Sequence, residues 1–96
     1  MVRFDWDAQK NARNEAKHGI DFETAQFIFD DPGCITFIER EYEGEERWKA
    51  IGAIEDVLLL VVVHTYRQEE GDEIIRIISA RRATRHERKL YAEAIG

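Results

Sequence analysis

The stretch VLLLVVVHTYR, Val57 to Arg67, holds the longest apolar run of the chain. Its apolar run, Val57 to Val63, is seven residues long, far short of the roughly 20 that a membrane helix needs. It reads instead as a buried strand. Because it is apolar at consecutive positions, both of its faces are covered, which places it centrally in a sheet. Upstream, Glu55-Asp56 makes a tight turn back to RWKAIGAIE (Arg47–Glu55), and CITFIER (Cys34–Arg40) precedes that. Downstream, the acidic turn QEEGDE leads to IIRIISAR (Ile74–Arg81), apolar at nearly every position.

The flanks are helical. VRFDW (Val2–Trp6) reads as a first strand, and Asp7 is a suitable N-cap for a helix from Ala8 to about His18 that ends at Gly19. Ala8, Ala12 and Ala16 form a narrow small-residue face suited to lying on a sheet, with Lys10, Asn14, Lys17 and His18 on the opposite side. Asp21 caps a second helix with Phe22, Ala25, Ile28 and Phe29 as its buried stripe, and DDPG (Asp30–Gly33) ends it. Thr84 and Glu87 stand at capping-box spacing and open a last helix to about Ala94, with Leu90 and Ala94 inward. The expected order is β-α-α-β-β-β-β-α. That is an α+β fold, an antiparallel sheet packed against N-terminal helices, in one domain over residues 1–96.

Charged residues make up 35% of the chain and hydrophobic ones 44%, an ordinary globular balance rather than a disordered one. The first 16 residues carry Arg3, Asp5, Asp7, Lys10 and Arg13, with no apolar block of a signal peptide. The single Cys34 fits a reducing compartment and reads as a small hydrophobe. A cytoplasmic location with no membrane association is expected. The net charge of −6 argues against nucleic acid until its distribution is considered. Residues 74–96 hold five Arg and one Lys against two Glu, a net +4, which leaves −10 on residues 1–73. The acid gathers in EREYEGEE (Glu39–Glu46) and EEGDE (Glu69–Glu73), both turn-like. Screening over about 8 Å lets a positive segment of a negative chain still bind phosphate.

Polar clusters end the two most apolar strands: HTYR (His64–Arg67) and SARR (Ser79–Arg82). As hairpin neighbours these strands would hold Arg67 and Arg81 at opposite ends, unless the sheet curls; the pattern leaves this open. Arg81, Arg82, Arg85 and His86 surround the start of the last helix, where cations oppose the helix dipole and where a phosphate would be welcome. Lys17 and His18 have a simpler explanation, since cations in a last helical turn favour the dipole. No His, Cys, Asp or Glu group has metal-ligand spacing; FDWD is two acids flanking a Trp. There is no Gly-rich phosphate loop and no nucleophile elbow. No metal and no cofactor is expected.

FDWDAQKNARNEAKHGIDFETA (Phe4–Ala25) resembles the opening signature of the BrnT family, toxins of type II toxin–antitoxin modules. The resemblance rests on Phe4, Trp6, Asp7, Lys10, Asn14, Lys17-His18-Gly19, Phe22 and Ala25. It continues in Glu46 to Gly52 (ERW…IG) and in IIRIISARRATRHERKLY (Ile74–Tyr91). It implies a RelE-like fold and metal-independent RNA cleavage that stops translation. It also implies a BrnA-type antitoxin with a ribbon-helix-helix part, and promoter DNA bound only through the toxin–antitoxin complex.

Such cleavage needs a base for the 2′-hydroxyl, cations for the phosphorane and an acid for the 5′-oxygen. On that reading Arg67 and Arg81 are the expected catalytic cations, with Arg82 beside them, since the planar fork suits phosphate oxygens. His64 is the best acid or base by residue type. Lys17, His18, Arg82 and Arg85 are the expected RNA-binding residues, and Glu87 and Tyr91 are weaker catalytic candidates. The rival reading is a non-catalytic protein-binding or RNA-binding module.

Overall fold

Leu58–Glu69 forms the central strand, β4, of a five-stranded sheet in the computed structural model, which describes residues 1–96. The spatial order is β1 (Val2–Trp6), β5 (Asp72–Arg82), β4, β3 (Glu45–Ile54) and β2 (Ile35–Tyr42). The two-sided apolar pattern of β4 is buried as expected: Leu60, Val61 and Val62 are all solvent-excluded. β2 to β5 are antiparallel neighbours, but β1 lies parallel to β5, so the sheet is mixed. No hairpin links β1 to β5, so nothing local forces their directions to oppose.

The acidic blocks are shorter as turns than the composition suggests. Strands run through them to two-residue turns at Glu43-Gly44 and Glu70-Gly71, where both residues of each pair have positive φ. That conformation matches the twist of a hairpin, and glycine takes it without strain.

One face of the sheet carries α1 (Ala8–His18) and α2 (Phe22–Ala25), which tightens into a 3₁₀ turn over Gln26–Asp30. The caps are as expected. Asp7 accepts from the amides of Gln9 and Lys10, Gly19 is left-handed, and Asp21 accepts from the Thr24 amide at 2.6 Å. Ile20, Phe22, Ala25 and Ile28 pack on Ala50, Leu60, Val62, Ile77 and Ala80. Each large side chain so buried contributes about 1.5–3 kcal/mol. At Gly52 a β-carbon would stand 2.9 Å from Ile28, so glycine is what lets the 3₁₀ turn sit on β3.

α1 is rotated relative to the expectation. Ala8, Ala12 and Ala16 are exposed, and Asn14, assigned to the free polar side, is buried. Its amide explains the rotation. β1 pairs with β5 only as far as Ile77, which leaves the edge of β5 open beyond that point. There Asn14 Nδ2 donates to the Ala80 carbonyl at 2.8 Å, and its Oδ1 accepts from the Ala80 amide at 3.1 Å. A side chain thus completes the ladder where the strand stops, since buried backbone groups require partners.

α3 (Arg85–Ile95) begins with the expected capping box of Thr84 and Glu87. Its first turn lies over the sheet face opposite α1. Leu90 is half-buried, but Ala94 is exposed; Glu87 and Tyr91 take the inward positions. The Tyr91 hydroxyl donates to Asp31 at 2.6 Å, and Asp31 also accepts from the amides of Gly33 and Ala53. This carboxylate beside the phenol pushes Tyr91 up to about 12. Tyr91 is therefore a structural tether of the DDPG turn. No helix is long and apolar enough to cross a membrane.

Candidate active site

Cross-strand partners share a sheet face. On the face away from α1, Phe37 is opposite Lys49, Lys49 opposite Val63, and Val63 opposite Ser79. These four residues form one row across β2, β3, β4 and β5. The next row is Ile35, Ile51, Val61 and Arg81. Ser79 and Arg81 are thus two residues apart on one face, about 7 Å along the strand. A bulge in β5 follows: Val63 pairs with Ser79 but His64 pairs with Ile77, so Ile78 is the extra residue. Bulges re-aim side chains, and they recur beside active sites.

Glu87 organises this face. Its carboxylate takes both prongs of the Arg81 guanidinium, at 2.7 and 2.9 Å, and the Lys49 ammonium at 3.0 Å. It also accepts from the Thr84 amide at 2.8 Å. The residue is only 5% exposed, and Arg81 above all holds its carboxyl far below the usual range. Glu87 in turn raises Arg81 further. Two cations from non-adjacent strands are fixed side by side, while the Arg81 side chain remains 36% exposed. Its Nη1 also donates to the Arg82 carbonyl at 3.3 Å, which leaves Nε and one proton of Nη2 for a ligand. Such a fork is suited to phosphate oxygens.

The basic side of α1 borders the same face. Lys10, Arg13, Asn14, Lys17 and His18 line a groove of about 220 Å³ with Ile78 and Ser79. Ser79 belongs both to this groove and to the row containing Lys49. The structure places Lys17 and His18 in a groove that meets β5 at Ser79, two residues before Arg81 on the strand.

Arg67 and His64 are not part of this grouping. Arg67 is on the same face but opposite Ile74, whereas Arg81 is opposite Val61. The six residue steps along β4 from Val61 to Arg67 span roughly 20 Å. Arg67 is occupied there by Asp5 at 3.1 Å and Glu69 at 3.2 Å, and Arg76 shares Asp5. Arg67 and Arg81, whose proximity the sequence leaves open, are kept at opposite ends by the antiparallel pairing. His64 alternates to the helix side of β4. It is fully buried between Phe29 and Tyr66, whose ring centroids are 5.0 and 4.9 Å away. Burial lowers its pKa to about 4. It lies on the face opposite Arg81 and is excluded from solvent.

Arg82 and Arg85 are exposed at the end of β5 and the start of α3, as the composition suggests. Lys49 escaped the reading of the sequence. Its only local signal is a charge inside the otherwise apolar run of RWKAIGAIE; its partners come from β5 and α3.

A mixed sheet with α1 and α2 on one face, and on the other a pair of cations braced by a carboxylate from α3, defines a small α+β domain. Residues 6–87 match the family described as ribonuclease toxin, BrnT, of type II toxin-antitoxin system. The chain belongs to that family, which implies an RNA target and an antitoxin partner. The crystal structure of the Brucella abortus ribonuclease toxin, BrnT, is similar to this chain, with a TM-score of 0.64 and 24% identity. The similarity covers 88% of this chain and 100% of that one, and it bears on the fold. No curated protein matches the chain with significance.

Proposed function

We propose that residues 1–96 act as one toxin unit, a metal-independent endoribonuclease that inhibits translation. The observation that carries the reading is the Arg81–Lys49 pair, braced by buried Glu87 where α3 begins to cover the sheet. In the reaction the 2′-hydroxyl attacks the adjacent phosphorus and gives its proton to a base. The 5′-oxygen departs with a proton, leaving a 2′,3′-cyclic phosphate. Arg81 and Lys49 stabilise the charge that builds on the phosphoryl oxygens between these events. Prepositioned cations do this without reorganising, which makes electrostatics the largest expected effect. Lys17 and His18 hold the neighbouring backbone from the α1 groove.

The antitoxin on this reading is a BrnA-type ribbon-helix-helix protein, and promoter DNA is bound only through the complex, in the cytoplasm. An acidic segment of the antitoxin covers the positive C-terminal region and is steered there by charge. The test is incubation of the purified chain with single-stranded RNA in EDTA. Discrete products ending in 2′,3′-cyclic phosphate are expected, and a 2′-deoxy sugar at the cut site blocks them. Binding without cleavage would instead make the chain an RNA-binding module. Cleavage that stops in EDTA and returns with Mg²⁺ would overturn the metal-free mechanism.

A further inference from the structure

Lys49 has an aromatic neighbour that neither the phosphate site nor the core explains. Phe37 stands directly opposite it on the edge strand β2 and is 37% exposed. The Lys49 Nζ lies 5.9 Å from the centre of its ring. The arrangement repeats further along the same face. Tyr42 is 49% exposed, and the Arg47 guanidinium lies over its ring at 4.8 Å. Arg47 and Lys49 are two apart on β3, so their side chains share the face. The bulge after Ile38 keeps Tyr42 on it with Phe37, five positions earlier. The edge strand carries Glu39, Arg40 and Glu41 as an exposed edge should. Solubility does not ask for the two exposed rings set against Lys49 and Arg47. Rings paired with cations are the composition of a surface for single-stranded nucleic acid, in which bases stack on rings and phosphates meet the cations.

We propose that Phe37 is a stacking platform for an unpaired RNA base next to the phosphate held by Arg81 and Lys49, with Tyr42 as the next step of the same track. The inference rests on the phosphate reading of that pair. The strand would enter over the α1 groove at Ser79, cross the cations and leave along β2.

A 2′-O-methyl oligoribonucleotide, which has no 2′-hydroxyl to attack, serves as the probe. Its affinity is measured with the unaltered chain and with Phe37→Tyr, Phe37→Leu and Phe37→Ala. Stacking requires a flat ring, so Tyr should retain affinity, and both Leu and Ala should lose about 5- to 100-fold. A series of probes, each with one abasic position, locates the base. One position should weaken binding to the unaltered chain and have no effect on Phe37→Ala. If Leu binds like Phe, or no abasic position depends on residue 37, the platform is refuted while the phosphate site stands, provided Arg81→Ala still loses the probe. If the unaltered chain does not hold the probe at all, the phosphate reading fails and the platform with it. If Phe37→Leu loosens only the antitoxin complex, the ring serves a protein partner and the proposal is wrong.

Discussion

Arg81 and Glu87 form a two-pronged pair, Nη1 to Oε1 at 2.7 Å and Nη2 to Oε2 at 2.9 Å, that joins the end of β5 to the first turn of α3. The same carboxylate caps the helix through the Thr84 amide and holds Lys49. One residue thus fixes a helix start and the spacing of two cations. Glu87→Gln should keep part of the hydrogen bonding but lose the charge. Cleavage should fall about 10- to 100-fold with the fold retained. Glu87→Ala also removes a cap and leaves paired cations without their anion, so it should cost about 3–5 kcal/mol in denaturant unfolding. A Glu87→Gln chain as active as the original would show that the brace is purely structural.

His64 makes a prediction about pH. Its folded-state value of about 4 lies below the ordinary 6.5 because burial disfavours the imidazolium. The unfolded chain therefore binds more protons between those values, and stability must fall as pH drops from 6.5 towards 4. The loss should approach about 3 kcal/mol. Glu87 acts in the same direction at lower pH, since its depressed carboxyl stabilises only while ionised. His64→Phe keeps a ring between Phe29 and Tyr66 without the proton site. Its melting temperature should be flatter across pH 6.5 to 4.5 than that of the parent. An identical slope in both would assign the acid sensitivity elsewhere.

Asn14 is the residue on which the position of α1 depends. Its amide bonds to both backbone groups of Ala80 and to the Ile20 carbonyl at 2.9 Å. Asn14→Ala strands these buried groups, and a loss of about 2–5 kcal/mol is expected on denaturant unfolding. Ala16→Ser, on the exposed alanine side, should change stability by less than about 0.5 kcal/mol. Equal effects would mean that α1 packs by its alanines after all.

These two residues mark the limit of what the sequence conveys. Caps, turns and the central strand were legible because their causes are local: Asp7 before a helix, Gly19 after it, and an apolar run at Val57–Val63. The direction in which each element faces was not. Ala8, Ala12 and Ala16 have the spacing of a packing stripe, yet a tertiary need at Ala80 turns Asn14 inward. Alternation along β4 implies that His64 opposes Val63, but not which side the helices cover. The site is less legible still. Arg81 stood out by its place near a helix start, and Glu87 by its cap spacing. Lys49 reaches them only through the pairing of β3 with β4 and of β4 with β5.

The charge split predicts how the antitoxin arrives. Arg82, Arg85 and Arg88 are exposed in the positive segment. Neutralising all three should slow association with the antitoxin and flatten its dependence on salt, with little change in thermal stability, since exposed charges are each worth about 0–1 kcal/mol. Stopped-flow mixing at several salt concentrations measures this. An unchanged rate and slope would move the antitoxin to another surface, with the basic groove of α1 as the next candidate.

In the proposed reaction Arg81 and Lys49 together, not Arg67 or His64, stabilise the cleavage transition state. Single-turnover cleavage of one RNA in EDTA by Arg81→Ala, Lys49→Ala and Arg67→Ala chains tests this directly. The first two should each be slowed by about 10²-fold or more, with Arg81→Lys recovering only part of the loss, because an ammonium cannot grip two oxygens at once. Arg67→Ala should remain within about threefold of the parent, because its partners are Asp5 and Glu69. A folded Arg81→Ala chain that cuts at the parental rate, or an Arg67→Ala chain that does not cut, would overturn this assignment.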